Sequence, residues 1–283
     1  MTVGQALRQA EARLRSGGVP DPALDAERLL RHALGWDRAD VIARGAEALP
    51  ETDAQRFFAL VEERAARRPL QHITGIQAFW RHEFLVTPDV LIPRPETEVL
   101  VETALDLIRD RPAPVVVDVG TGSGCIALSI AAERPDAIVH GVDASAPALA
   151  VATENARRLG LDHGVELHQG DLIDPVARLR GAIDLIVSNP PYVDPSEIPT
   201  LAPEVRDHEP RPALLAPDPP YGIYRRIARE ACGALRPGGH LIVEVGQGMA
   251  ETVAQVFGEA GLVDVATRPD LAGIPRVVSG RRA

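Results

Sequence analysis

Residues from about 95 to the end of the chain alternate between short apolar runs and amphipathic segments. Runs rich in Val, Ile and Leu predict six strands, at 115–119, 138–143, 165–168, 184–188, 241–245 and 276–279. Helices are predicted among them, at 96–109, 125–133 and 146–159. Continuous apolar strands separated by helices are typical of an α/β fold with a mostly parallel sheet covered on both faces. In such sheets ligands bind at the carboxyl ends of the strands.

The first 70 residues have a different, helical pattern. Thr2 is predicted to cap a first helix, and Thr52 is predicted to cap a later one with a narrow apolar stripe. Short capped helices of this kind indicate a small bundle. We therefore divide the chain into an N-terminal helical domain (1–70), an extended hairpin linker (71–94) and a larger α/β domain (95–283).

Composition excludes several classes of protein. The 283 residues carry a formal net charge of -10 and contain no Lys, which excludes a Schiff-base lysine or a P-loop lysine. The two cysteines cannot form a disulfide framework, and the eight histidines show no metal-ligand spacing, so we expect no metal. No apolar run is long enough to span a membrane, which favours a cytoplasmic protein. The acidic charge favours a protein partner over naked nucleic acid.

Three of the strand ends carry residues suited to binding a nucleoside. Gly120, Thr121, Gly122, Ser123 and Gly124 follow the first strand and open a helix, where glycines let a ligand approach the backbone. Asp143 follows the second strand and can accept ribose hydroxyls, although it could simply cap the next helix. Asp171 and Leu172 follow the third strand and could meet an adenine ring, or form an ordinary turn.

The fourth strand end is the most unusual. Asn189, Pro190, Pro191 and Tyr192 follow it, and the two prolines fix the backbone and remove two N–H donors. The Asn189 side-chain oxygen and the neighbouring carbonyls can then face a substrate as acceptors, while Tyr192 offers a ring for stacking. These features indicate a receptacle for a planar NH2 group, with a rigid turn as the alternative.

Together these motifs resemble those of class I S-adenosylmethionine-dependent methyltransferases, and specifically the HemK/PrmC family. The segments that carry the resemblance are PLQHITG (69–75), LIPRPETE (91–98), VVVDVGTGSGCIALSIA (115–131), GVDASAPAL (141–149), GDL (170–172), DLIVSNPPYV (184–193), HEPRPALLAPDPPYGIYRRI (208–227), LRPGGHLIVEVGQ (235–247) and DLAGIPRVVSGR (270–281). The resemblance implies a Rossmann-like, mostly parallel seven-stranded sheet, with the small helical bundle joined to it by the hairpin linker.

The resemblance also implies roles for individual residues. Residues 120–124 would hold the methionine part of S-adenosyl-L-methionine, Asp143 its ribose, and Asp171 with Leu172 its adenine, with S-adenosyl-L-homocysteine as the product. Several relatives have an aromatic residue where Leu172 stands. Asn189 would contact both the cofactor and the substrate, and Asn189, Pro190 and Tyr192 would be the catalytic group.

The implied reaction is methylation of the glutamine side-chain amide in the Gly-Gly-Gln motif of peptide-chain release factors, in translation termination. We expect a monomer that binds neither nucleic acid nor membranes. Residues 1–70 would recognise the protein substrate or only shield the sheet. Residues 193–220 contain eight prolines, too many for a helix, and would form a rim over the substrate or a rigid connector.

Three alternative functions remain open at this point. A nucleic-acid methyltransferase acting on adenine or guanine would also use an Asn-Pro-Pro-Tyr corner, because a flipped base presents a planar amino group. A nicotinamide oxidoreductase shares a glycine turn and an acid in the position of Asp143, but lacks the proline pair. A catalytically silent binding module is disfavoured because the acceptor corner is intact.

Overall fold

The described part of the chain forms two compact units. The computed structural model describes residues 1–216 and 221–283, so the last four residues of the predicted rim, 217–220, lie outside the described residues. One unit consists of Met1–Ile76 and Leu201–His208, and the other of Gln77–Thr200 and Glu209–Ala283. The sequence division into 1–70, 71–94 and 95–283 did not anticipate that a segment near residue 204 belongs to the N-terminal unit.

The N-terminal unit is built on short helices: α1 (Val3–Ser16), α2 (Pro22–Leu34), α3 (Arg38–Ala43), α4 (Glu51–Ala65) and α5 (Leu70–Thr74). Thr2 caps α1 as predicted, since its hydroxyl accepts from the Gln5 N–H and the Gln5 side chain accepts from the Thr2 N–H. The predicted cap at Thr52 is wrong, because the cap position is Pro50 and α4 begins two residues earlier than predicted. Proline fixes φ and favours a helix start there without a side-chain cap.

The N-terminal unit contains a network of buried and partly buried ion pairs. Arg64 on α4 has a side chain only 6% exposed, and its Nε donates to Asp25 on α2 at 2.7 Å. Its Nη1 donates to Glu204 at 2.8 Å, and Arg67 pairs with the same carboxylate at 2.5 Å. Burial raises the pKa of Glu204, but the hydrogen bonds from Arg67 and Arg64 outweigh it and lower the pKa to about 2. Glu204 lies on α9 (Pro203–His208), so α9 is fastened to α4 by two guanidinium groups.

The second unit begins with the predicted hairpin, β1 (Ile76–Phe79) paired with β2 (His82–Leu85). The turn between them places Trp80 at φ 55°, and its N–H donates to Glu98 at 2.8 Å. Residues 70–74, predicted as extended, form helix α5 instead. The left-handed Gly75 ends that helix and starts the hairpin.

The remaining strands form one seven-stranded sheet in the order β5-β4-β3-β6-β7-β9-β8. Their bounds are β3 (Val115–Val119), β4 (Ile138–Asp143), β5 (Val165–Gln169), β6 (Ile183–Ser188), β7 (Leu235–Glu244), β8 (Leu262–Pro269) and β9 (Pro275–Arg282). β3 to β7 pair in parallel, and β9 pairs antiparallel with β7 and β8. The mostly parallel α/β fold is therefore confirmed. The pattern missed β8, because only one of its eight residues is buried and no apolar run marks it.

Helices cover both faces of this sheet: α6 (Glu98–Leu107), α7 (Cys125–Glu133), α8 (Ala146–Leu159), α11 (Gly222–Ala234) and α12 (Ala250–Glu259). Separate apolar clusters fill the two faces, one around Tyr224 and Phe257, the other around Leu128 and Ile130. Contrary to the prediction for 193–220, the described residues there contain α9 and α10 (Arg211–Leu214), with prolines at or near their starts. Within the described ranges, no helix combines the length and apolar character needed to cross a membrane.

The ion pair in the N-terminal unit generates the first prediction. Arg64→Met leaves the buried Asp25 carboxylate without its cationic partner and removes one of the two arginines that pair with Glu204, so we expect a loss of about 3–5 kcal/mol from the free energy of unfolding of this unit. Hydrogen exchange in α1, α2 and α4 would measure it. Arg13→Met is the matched control, because Arg13 pairs with Glu62 on an exposed surface. Equal exchange in the two variants would show that the buried pair does not anchor the unit.

Candidate active site

A cavity of about 310 Å³ lies at the carboxyl ends of the central strands, within the size range of small-molecule sites. Most of the residues predicted from the strand ends line it: Gly120, Thr121, Gly122, Ser123, Asp143, Asp171, Leu172, Asn189, Pro190 and Pro191. Gly124 and Tyr192 are not among its lining residues. The fold thus brings four sequence-distant motifs to one concave surface, as expected for a parallel sheet.

The glycine turn after β3 depends on left-handed backbone. Gly120, Gly122 and Gly124 have φ values of 74°, 56° and 80°, which residues with a Cβ rarely adopt. The N–H groups of Gly120 and Thr121 both donate to the Val142 carbonyl, at 2.8 and 3.0 Å, and join the turn to β4. A Cβ on Gly120 or Gly122 would meet no protein atom within 4 Å. Their backbone therefore faces open space that a ligand can enter.

Asp118 stabilises this turn through hydrogen bonds. Its side chain is fully buried, and its Oδ2 accepts from the Thr121 hydroxyl at 2.6 Å and from the Ala127 N–H at 3.2 Å. Burial raises the pKa of Asp118 to about 7, although the bonds from Thr121 and Ala127 oppose that rise. The sequence pattern alone assigns Asp118 no role. The signal that could have identified this role is a single acid within an apolar strand that is followed directly by a glycine turn.

Asp143 lies at the end of β4 and faces the glycine turn. Its Oδ2 accepts from the Gly122 N–H at 2.8 Å, and its Oδ1 accepts from the Ser145 N–H at 2.8 Å. Each carboxylate oxygen keeps a further lone pair, so both oxygens can still accept a hydroxyl hydrogen bond. The alternative that Asp143 caps the next helix is not what the structure shows, because the Ser145 side chain caps α8.

Asp171 and Leu172 form the rim of the cavity beyond β5. Leu172 is buried with φ 47°, an uncommon conformation for a residue with a Cβ. The Asp171 carboxylate is mostly exposed and pairs with Arg226 on α11 at 2.5 Å. Leu172 therefore offers an apolar wall, whereas the Asp171 carboxylate already has a cationic partner on the exposed side.

Asn189 follows β6, and its amide has a fixed orientation. Its Nδ2 donates to the Thr97 hydroxyl at 3.3 Å. Among the described residues, no hydrogen bond is found to the Asn189 Oδ1 or to the Pro190 carbonyl. The amide nitrogen is thus turned toward Thr97, and Asn189 and Pro190 supply two acceptors at the cavity wall.

Thr97 links Asn189 to a buried acid. Thr97 is 2% exposed, and its hydroxyl lies near enough to the Glu244 carboxyl, at the end of β7, to act against the rise in the pKa of that group. Because the hydroxyl accepts from Asn189, its single hydrogen is available to Glu244. Burial raises the pKa of Glu244 to about 7, and its Oε2 has no partner within residues 1–216 and 221–283. Sequence reasoning missed this chain of polar contacts, because its members come from three distant segments.

Tyr192 follows the proline pair and is not among the residues that line the cavity. A Cβ on Gly246 would lie 3.0 Å from the Tyr192 ring, so the ring packs closely on the backbone after β7. Burial raises the pKa of Tyr192 to about 12, and the nearby Glu244 carboxyl also raises it. Gly124 similarly serves packing, since a Cβ there would lie 3.0 Å from Leu128. Both predicted residues support the cavity from outside in this structure.

The cavity has a second wall, of which only residues 210–213 fall in a segment, 193–220, that the sequence predicts as a rim over the substrate. It comes from residues 89–97 and 210–213, represented among the lining residues by Val90, Pro93, Arg94, Pro210 and Pro212. Arg94 donates to Glu209 at 2.6 Å and joins the two segments, and the Glu209 side chain has no exposed surface. The motifs LIPRPETE and HEPRPAL contained the signal, since each concentrates charge between prolines.

Comparison with known proteins fits this geometry. Residues 5–75 match the family described as PrmC N-terminal domain, and residues 96–204 match the methyltransferase small domain. A release factor glutamine methyltransferase of Cereibacter sphaeroides is 46% identical over 99% of both chains. The protein of that name from Deinococcus radiodurans is 42% identical over 100% of this chain and 99% of its own.

The chain belongs to the release factor glutamine methyltransferase family. Solved structures support the fold alone. The hMettl16 catalytic domain, solved in complex with the MAT2A 3'UTR hairpin 6, matches with a TM-score of 0.57 at 14% identity, over 81% of each chain. A methyltransferase from Pyrococcus furiosus matches with a TM-score of 0.53 at 16% identity, over 73% of this chain and 91% of that one. The predicted family and the class I methyltransferase fold are confirmed.

The buried Asp118 predicts how the stability of this methyltransferase depends on pH. An unfolded Asp loses its proton near pH 4, whereas folded Asp118 keeps it to about pH 7. The free energy of unfolding should therefore fall as pH rises across that interval, by up to about 1.4 kcal/mol per pH unit from this group. Asp118→Asn should remove its share of the slope in urea unfolding curves, while Asp136→Asn, on the surface, should not. An unchanged slope in Asp118→Asn would contradict this account.

The Thr97 hydroxyl predicts a separate effect on catalysis. Thr97→Val keeps the side-chain shape but removes the hydrogen bond that orients the Asn189 amide, so methyl transfer should fall by on the order of 10²-fold. Thr97→Ser retains the hydroxyl and should recover most of the rate. Steady-state kinetics with calorimetry of donor binding would separate the effects. Equal rates for the Val and Ser variants would show that the hydroxyl does not orient Asn189.

Proposed function

We propose that this enzyme transfers a methyl group from S-adenosyl-L-methionine to the side-chain amide nitrogen of the glutamine in the Gly-Gly-Gln motif of peptide-chain release factors. The observation that carries the proposal is the acceptor corner formed by the Asn189 Oδ1 and the Pro190 carbonyl. An amide NH2 group has two N–H bonds in one plane, and two fixed acceptors suit such a group. The relatives named release factor glutamine methyltransferase align with nearly the whole chain, which supports the proposed class of substrate.

The residues of the cavity suit S-adenosyl-L-methionine. Gly120 and Gly122 leave open space beside their backbone, and Asp143 retains free lone pairs for hydroxyl groups. We propose that residues 120–124 hold the methionine part, Asp143 the ribose, and Leu172 with Asp171 the adenine. When bound, S-adenosyl-L-methionine supplies a methyl group already activated by its sulfonium, and S-adenosyl-L-homocysteine remains as product.

The chain itself would contribute orientation and the exclusion of water. An amide nitrogen is a weak nucleophile, because its lone pair is delocalised into the carbonyl. Acceptors on both N–H bonds, the Asn189 Oδ1 and the Pro190 carbonyl, would fix the plane of the amide and direct the nitrogen toward the methyl group. Orientation of this kind can account for about 7–11 kcal/mol of a reaction barrier. Tyr192 would act by bracing the proline pair, since it packs on Gly246.

The proposed partner is a protein, and the N-terminal unit is proposed to recognise it. The chain carries a net charge of -10, which disfavours binding to nucleic acid phosphates. α9 joins α4 through Glu204, so we include residues 201–208 in the proposed recognition unit. The activity would then belong to translation termination in the cytoplasm, with the enzyme as a monomer.

A single labelling experiment tests the proposal. The full chain is incubated with methyl-labelled S-adenosyl-L-methionine and a purified release factor, and the modified residue is located by mass spectrometry. A release factor whose Gly-Gly-Gln glutamine is replaced by alanine is the control substrate. Label on that glutamine alone supports the proposal. Label on the control protein, or on DNA or RNA added in parallel, would overturn it in favour of another acceptor.

Asn189 provides the matching prediction in the enzyme. Asn189→Ala removes one acceptor, so kcat should fall by about 10²–10³-fold, the usual effect of removing one preorganised polar group. Donor affinity measured by calorimetry should change much less, since the glycine turn and Asp143 remain. Gln255→Ala is the control, because it truncates an amide at an exposed position of α12 that does not line the cavity. Wild-type turnover in Asn189→Ala would remove Asn189 from the mechanism.

A further inference from the structure

Two histidines and a glutamate converge on one face of the sheet, at positions the cavity does not use. His140 lies on β4, and Glu166 and His168 lie on the neighbouring edge strand β5. In the parallel register His140 is paired with Glu166, and His168 is two positions further along. Alternation along a strand places Glu166 and His168 on the same face. No spacing rule could find this group from the sequence, because the whole of α8 separates His140 from Glu166 and His168.

The separations among the three side chains have a specific pattern. The His140 Nδ1 and the His168 Nε2 are 3.1 Å apart. The Glu166 Oε2 lies 3.5 Å from the first nitrogen and 3.6 Å from the second. Both distances to oxygen are too long for good hydrogen bonds. Three potential ligand atoms therefore form a nearly equilateral triangle around a common centre.

We propose that His140, Glu166 and His168 bind one Zn²⁺ ion. Zinc takes nitrogen ligands at about 2.0–2.1 Å and carboxylate oxygen at about 2.0–2.2 Å in tetrahedral geometry, which places neighbouring ligand atoms roughly 3.3–3.4 Å apart. The three separations in this triangle bracket that value. Two imidazoles and one carboxylate also match a ligand set that proteins use for zinc, with water in the fourth position.

The surroundings suit the ion. The His140 side chain is 2% exposed and that of His168 is 18% exposed, whereas Glu166 is 60% exposed and leaves an approach from solvent. Burial lowers the pKa of both histidines, although the nearby Glu166 carboxylate opposes that lowering. The bound ion would join the edge strand β5 to β4, just before the loop that carries Asp171 and Leu172.

Two other occupants compete for this triangle. One is a proton shared between the imidazole rings, since 3.1 Å also suits an N–H···N hydrogen bond. The other is the guanidinium of Arg178, which pairs with the Glu166 Oε2 at 2.9 Å. Arg178 is largely exposed, so moving it away costs little. The competition makes a directional prediction: removing Arg178 should strengthen zinc binding.

The test uses the full chain after treatment with a chelator, titrated with ZnCl2 by calorimetry and with Co²⁺ by visible absorption. We expect one ion per chain, tetrahedral Co²⁺ bands displaced by zinc, and a higher thermal midpoint with zinc. His168→Gln should weaken binding by at least about 10–100-fold, the loss that follows even from changing a residue that supports a ligand. Arg178→Gln should tighten it by up to about fivefold. His163→Gln is the matched control, because that ring is 97% exposed and near the same strand.

The outcomes separate the three occupants. Absence of a one-to-one zinc site in both the wild type and Arg178→Gln would overturn the proposal in favour of the proton, and a site present only in Arg178→Gln would overturn it in favour of the guanidinium. Equal zinc affinity in the wild type and His168→Gln would also refute the site. Circular dichroism checks that each variant folds. If His168→Gln does not fold, Glu166→Gln replaces it, since the exposed Glu166 side chain can change without disturbing the core. Zinc affinity in Glu166→Gln equal to that of the wild type would equally refute the site.

Discussion

The active site depends on one buried carboxyl group at the centre of the sheet. Asp118 has no contact with solvent, yet it receives the Thr121 hydroxyl and the Ala127 N–H, and so fixes both the glycine turn and the first turn of α7. The glycines supply the freedom to adopt left-handed backbone, but freedom alone does not select one conformation. The acid selects it, and a raised pKa is the cost of placing it there.

The acceptor corner shows the same principle at the neighbouring strand. Prolines remove donors from the backbone, but they do not decide which way the Asn189 amide points. That orientation comes from Thr97, which in turn lies near Glu244 at the end of the neighbouring strand β7. The glycine turn is thus fixed by the buried Asp118, and the proline corner by the buried Thr97. In both cases a buried polar side chain from another element selects one conformation of the segment. Pre-organisation of this kind reduces what the substrate must order on binding.

Local signals made much of this predictable, and tertiary contacts account for the rest. The glycine turn, Asp143 and the Asn-Pro-Pro-Tyr corner follow buried strands directly, so periodicity placed them at one edge of the sheet. Glu244, Thr97 and the His140 group derive their roles from neighbours distant in sequence, which no single-sequence pattern contains. β8 was missed because it is mostly exposed, and Thr52 was misassigned because Pro50 starts the helix instead.

The N-terminal unit is discontinuous in sequence, and this constrains the order in which it can be completed during synthesis. α1 to α5 leave the ribosome first, but Arg64 and Arg67 receive the Glu204 carboxylate only after β3 to β6 have been made. Until then Arg64 has Asp25 as its only carboxylate partner among the described contacts. Domains usually fold as they emerge. Here the first unit to appear must wait for the central strands before its polar core is fully paired.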